Sequence, residues 1–242
     1  MRELIDRPQE HFALIRRTDT ALTSLAVFIH GFRGNYLTTW GSLSQMLHAD
    51  ADNQAVFADW DYLFVGYDTG QVATYLDIAK VVWGQWSKAS QGERPYNRNY
   101  DRLALLGHSL GTLGIRQALL AHAAQPKNFL SALHGVSYFG SPINGSPLAK
   151  FSFSKIAAAL EPGSPQLRML KAWCKDMYAH RPWRDVRVIT GTDDAVVGYV
   201  AGELMGWDGD LPPTQTGLDH SDLVKPRQWN SQFFDEIHAC LR

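Results

Sequence analysis

The sequence predicts a single α/β domain, residues 1–242, built on a mostly parallel sheet with helices on both faces. Three observations carry this. Short apolar runs alternate with longer stretches in which apolar residues recur at three- and four-residue steps. The short runs are hydrophobic at consecutive positions, as strands covered on both faces must be. The length of 242 residues suits one such domain, with no internal repeat, low-complexity tract or linker to divide it.

Strands are expected at Leu25 to Ile29, Tyr62 to Val65, Leu103 to Leu106, Val136 to Phe139 and Val186 to Ile189, each bounded by Gly, Asp or Ser. Between them Val72, Leu76, Ala79, Trp83 and Trp86 mark one helix, and Trp229, Phe233, Ile237 and Leu241 mark the last. Strand–helix–strand alternation implies right-handed crossovers. Chemistry in such sheets sits beyond the carboxyl ends of the strands. Four strand ends should therefore meet at one rim: His30 to Gly34, Gly107 to Gly111, Gly140 to Pro142 and Gly191 to Asp194. The stretch 143–183 breaks the alternation with two helical patterns, Phe151 to Leu160 and Pro165 to Tyr178, and reads as a small cap; a long shielding crossover is the alternative. Gly206 to Gly217 reads as loop, and its Asp208 and Asp210 as solvated turn carboxylates rather than calcium ligands.

Composition narrows the function classes. A net charge of -1 with no Lys/Arg block argues against nucleic acid and anionic membrane surfaces as partners. Aromatic residues, 12% of the chain, are enough to fill a core, with an acyl-lined pocket as the sharper reading. An aromatic face at Trp83 and Trp86 is a weaker candidate for membrane attachment, because the core needs that stripe. No signal peptide core and no transmembrane run is present in this stretch of sequence, so a cytoplasmic location is expected. Cys174 and Cys240 fit no metal spacing and read as reduced thiols, with one disulfide as the alternative.

The strongest chemical signal is Gly107-His-Ser-Leu-Gly111, with an apolar strand before it and a helical pattern, Thr112 to Ala124, after it. G-x-S-x-G alone is common; in this context it is a nucleophile turn that strains Ser109 and lifts its hydroxyl above the sheet. A helix N-terminus behind it favours developing negative charge. An ester carbonyl also needs two oxyanion donors. The amide of Leu110 is one candidate, and that of Phe32, after Gly31 in the loop following the Leu25 strand, is the other. His30 reads as ordering that loop, and with Gly31, Tyr36 and Ser141 it is placed near substrate.

Ser109 needs a base. Of nine histidines, His220 lies in a late polar turn, Gly217-Leu-Asp-His-Ser-Asp-Leu-Val-Lys-Pro226. His108 is built into the nucleophile turn and cannot aim back at its neighbour. The acid should follow a strand between Ser109 and His220, where Gly191-Thr-Asp-Asp offers two candidates. Asp194 is preferred and Asp193 would brace the turn. The order Ser109, Asp194, His220 is that of the α/β-hydrolases.

These pieces, with His30-Gly-Phe32, Trp40, Tyr67-Asp-Thr69, Phe139-Gly-Ser-Pro-Ile-Asn-Gly-Ser146 and His220-Ser-Asp-Leu-Val-Lys-Pro226, resemble the GPI inositol-deacylase-like and related serine-esterase branch of the α/β-hydrolase fold. The resemblance spans about Leu25 to Pro226. It implies an esterase or lipase with Ser109, His220 and an Asp as its triad, a small-molecule or lipid-like ester as substrate, and neither metal nor other cofactor. The chain departs from the eukaryotic deacylases in having no membrane segment. An acyltransferase or thioesterase with the same triad, and a non-catalytic binder that keeps the shell, are the alternatives.

Overall fold

The computed structural model describes residues 1–19, 21–121, 124–151, 154–180, 185–197, 214–215 and 217–242. Among the described residues eight strands form one sheet: β1 (Arg2–Arg7), β2 (Phe12–Arg17), β3 (Ser24–Ile29), β4 (Asp61–Val65), β5 (Arg102–His108), β6 (Leu133–Phe139), β7 (Asp185–Gly191) and β8 (Thr214–Gln215). Their order is β1-β2-β4-β3-β5-β6-β7-β8. β2 is antiparallel to both of its neighbours, and every pairing from β4 to β8 is parallel. This is the α/β-hydrolase architecture. β3 to β7 fall where apolar runs place them; the β1–β2 hairpin and the short β8 are additions to the expected sheet.

Among the described residues seven α-helices accompany the sheet: α1 (Leu43–Asp50), α2 (Tyr75–Ser90), α3 (Leu110–Leu120), α4 (Phe129–Ala132), α5 (Ala157–Leu160), α6 (Pro165–His180) and α7 (Gln232–Leu241). The strands alternate between two cores. Leu25, Val27, Ile29, Leu103 and Leu105 face α2 and α3, while Ala26, Phe28, Ala104 and Leu106 face α1 and α7. Trp83 and Trp86 are buried in the first core, which removes them as a membrane-facing surface. Thr74 and Asp77 form a capping box that starts α2, so Val72 packs from the preceding loop. α7 buries Phe233, Ile237 and Leu241 together with Phe234 and Cys240.

The hairpin buries Phe12 and Leu14 of β2 in the first core and Ala13 and Ile15 in the second, and a charge network adds to this. Asp61, fully buried, accepts from Tyr100 Oη at 2.7 Å, from Arg98 at 3.1 Å and from the Arg17 amide at 2.8 Å. Burial pushes its carboxyl up, and these donors oppose the shift. Cys174 and Cys240 are both buried and neither is in a disulfide. No helix among the described residues is long and apolar enough to cross a membrane. The Asp208–Asp210 loop and the last residues of the 143–183 stretch lie outside the described residues.

Candidate active site

β5 runs into α3 through Ser109, whose backbone stands at φ 52, ψ -123. A non-glycine residue in such a conformation costs about 1–3 kcal/mol. Three bonds hold it there: the Ser109 amide donates to Phe139 O at 2.8 Å, and the Ser109 carbonyl accepts from the Thr112 amide at 3.0 Å and from Thr112 Oγ1 at 2.6 Å. The flanking glycines are steric necessities. A Cβ on Gly111 would lie 2.4 Å from Ile29 O, and one on Gly107 would lie 2.8 Å from Ile115 Cδ1. Gly31 packs against Ser109 itself, since a Cβ there would sit 2.6 Å from Ser109 Cβ.

Of the two adjacent carboxylates after β7, Asp194 reaches His220; Asp193 is solvent-exposed. His220 Nδ1 donates to Asp194 Oδ2 at 2.7 Å. Asp194 Oδ1 accepts from the amides of Val196 and Val197 at 2.9 and 3.0 Å. Burial alone would push the Asp194 carboxyl up; the His220 bond and the two amides outweigh it and hold the group below the usual carboxylate range. A carboxylate can only accept, so this bond fixes the proton on Nδ1 of the neutral ring and leaves the Nε2 lone pair open. Ser146 Oγ donates to Val196 O at 2.6 Å, tying the acid loop to the segment after β6.

His220 is braced a second time. His108 Nε2 donates to the His220 backbone carbonyl at 2.8 Å, with the two rings 4.7 Å apart. Burial drives the His108 pKa down to about 3, so its ring is a neutral donor at working pH. Gly140, at φ 56, closes the other side: a Cβ there would meet His220 Nδ1 at 3.0 Å. The residue before it, Phe139, is the one whose carbonyl accepts the Ser109 amide. The end of β6 thus touches both halves of the arrangement.

Ser109 lines a cavity of about 380 Å³ with Phe32, Leu110, Leu148, Leu160 and Val197 among its walls, and with Arg33 at the edge. The four residues placed near substrate by the sequence are not in this lining: Gly31 packs against Ser109 Cβ, and the other three turn elsewhere. His30 spends both ring nitrogens on its own loop: Nε2 accepts from the Tyr67 amide at 3.2 Å and Nδ1 donates to Gly31 O at 2.8 Å. Burial lowers its pKa and keeps it neutral. Tyr36 donates its hydroxyl to Asp6 at 2.9 Å and packs in the second core, where burial pushes its pKa up to about 12. Ser141 turns inward, its hydroxyl 2.8 Å from Thr112 Oγ1, the group bonded to the Ser109 carbonyl. Among the described residues no cluster of His, Cys, Asp or Glu is built to hold a metal ion.

A family model described as "Putative serine esterase (DUF676)" matches residues 20–145, just over half of the chain. The chain belongs to this family. The matched span of the serine-esterase family contains Gly31, Phe32 and Ser109 and ends before Asp194 and His220. No curated protein matches the chain. Among solved structures, the lipase BlEst2 of Bacillus licheniformis shares 15% identity over 93% of this chain and 94% of its own, with a TM-score of 0.56. Est1E of Butyrivibrio proteoclasticus shares 14% over 91% and 90%, also at 0.56. The phospholipase PlaB of Legionella pneumophila shares 21% over 71% of this chain but only 38% of its own, at 0.54. At these identities the likeness is one of fold.

Proposed function

We propose that this protein is a serine hydrolase of carboxylic esters, in which Ser109, His220 and Asp194 act as the triad. The observation that carries the reading is the His220–Asp194 bond of 2.7 Å on the same rim as a serine held at positive φ at the head of an eleven-residue helix. His220 Nε2 takes the proton of Ser109 as its oxygen attacks the ester carbonyl. Asp194 keeps the ring in the required tautomer and stabilises the imidazolium that forms. The amides of Leu110 and Phe32 receive the oxyanion; each such donor is worth ~3 kcal/mol in the transition state. The alcohol leaves with the proton from His220, and a water activated by the same ring releases the acid from Ser109. No cofactor takes part. The segment 143–183 serves as a cap, because its Leu148, Ala157 and Leu160 wall the cavity that takes the acyl chain.

Hydrolysis of a p-nitrophenyl ester series from acetate to palmitate tests this. Wild-type protein should turn over members of the series, and Ser109→Ala should lose at least about 10³-fold in kcat. Equal rates for the two proteins, or none for wild type on any ester, would reject the reading.

A further inference from the structure

Among the described residues lining the cavity beside Ser109 one is ionic, Arg33, and the acyl-transfer reading gives it no task. Its guanidinium lies 5.3 Å from the centre of the Phe32 ring. Among the described residues no carboxylate pairs with it. Asp68, the carboxylate next to the Thr69 hydroxyl that receives the Arg33 amide at 3.3 Å, is itself turned to the Gly70 amide at 2.8 Å. The backbone of Arg33 stands at φ 55, closed by the Gly34 amide donating to Gly31 O at 3.1 Å. Glycine takes that conformation freely, whereas a residue with a Cβ is strained in it. Here a long cation stands at such a point, next to Phe32 and on the same cavity as the nucleophile.

The other described lining residues are uncharged: Phe32, Leu110, Leu148, Leu160 and Val197 form an apolar wall, and Ser109, Ser146 and Ser154 bring neutral hydroxyls. An anionic group driven into that wall would be buried without a partner, which is prohibitive. An ester bearing negative charge must therefore lay its acyl chain inside and its charge at the edge, on the alcohol side of the scissile bond. A guanidinium presents a fork of donors suited to phosphate or carboxylate oxygens. We infer that Arg33 forms an anion subsite and that the favoured substrates are acyl esters of an anionic alcohol, carrying a phosphate or carboxylate. This rests on the serine-hydrolase reading of the site.

The test compares kcat/KM for 1-octanoylglycerol 3-phosphate and 1-octanoylglycerol, which share the acyl group and differ in the anion. Wild type should favour the phosphate ester. Arg33→Gly, which removes the charge and relieves the backbone strain, should lower the anionic-to-neutral ratio by about tenfold, and Arg33→Lys should recover part of it. Molar salt should shrink the wild-type ratio by screening. A ratio in Arg33→Gly within about twofold of wild type, or a wild-type preference for the neutral ester, overturns the inference. If octanoylglycerol is still hydrolysed and Ser109 is still labelled by a fluorophosphonate, the subsite alone falls; wild type inactive on both esters and unlabelled removes the hydrolase reading and the subsite with it.

Discussion

Replacing Asp194 by Asn exchanges one carboxylate oxygen for an NH₂ and should silence the enzyme. Oδ2 accepts from His220 Nδ1 and Oδ1 from the Val196 and Val197 amides, so every bond this carboxylate makes is as an acceptor. An amide must place its NH₂ on one side or the other. Facing Val196 and Val197, it sets donor against two donors and gives up both bonds. Facing His220, it donates to Nδ1, which forces the proton to Nε2 and leaves no lone pair to receive the Ser109 proton. The second arrangement preserves the loop and is the better one for the fold, so the ring is left in the wrong tautomer. Loss of tautomer control costs ~10⁴-fold in kcat, or ~5 kcal/mol. Purified Asp194→Asn should melt near wild type, keep its circular dichroism spectrum and lose p-nitrophenyl butyrate turnover by about that factor. Asp193→Asn, altering an exposed carboxylate, should stay within about twofold. Retention of more than a tenth of wild-type kcat by Asp194→Asn, or an equal fall in Asp193→Asn, would refute the tautomer argument.

Three further outcomes follow from distances and ionisation. Gly31→Ala places a Cβ 2.6 Å from Ser109 Cβ and 3.2 Å from His108 O; neither is a flexible side-chain end, so the nucleophile or the loop shifts, with a loss of about 10²-fold in kcat/KM, and activity within threefold of wild type would show the loop yields elsewhere. His108, held neutral in the fold down to about pH 3 against an ordinary value of 6.5, leaves the unfolded chain binding the extra proton below pH 6.5; stability is then lost as pH falls, about 2 kcal/mol by pH 5, and urea midpoints that do not fall between pH 7.5 and 5.0 would contradict it. Ala157→Trp fills part of the 380 Å³ cavity, so the ester-series optimum should move to shorter acyl chains, and an unmoved optimum would place the acyl chain elsewhere.

How far the sequence could be read depends on which forces built each part. β3 to β7 are buried on both faces, so nearly every position is apolar and the runs stand out. β2 has a short buried apolar run of its own, Phe12 to Ile15, but Arg16 and Arg17 follow it directly, and β1, an edge strand with Arg2, Glu3, Asp6 and Arg7 among its six residues, shows no apolar run at all. The short α1 buries only Leu43, Ser44 and Leu47, too little for a periodic signal. In the site, Ser109 and His220 stand in local patterns whose chemistry is explicit. The directions of His30, Tyr36 and Ser141 are set by Tyr67, Asp6 and Thr112, partners up to 37 residues away. His108 shows the same limit: its own motif says it cannot reach Ser109, and only the fold brings the carbonyl of His220, 112 residues on, to its ring.

The claim beneath all of this is that the Ser109 hydroxyl is made nucleophilic by its surroundings. Incubation with a fluorophosphonate, followed by digestion and mass mapping of the modified peptide, addresses it without any assumption about substrate. The account predicts a single stoichiometric adduct on Ser109, formed slowly or not at all in His220→Ala. An unmodified protein, or an adduct on a different serine, would contradict it.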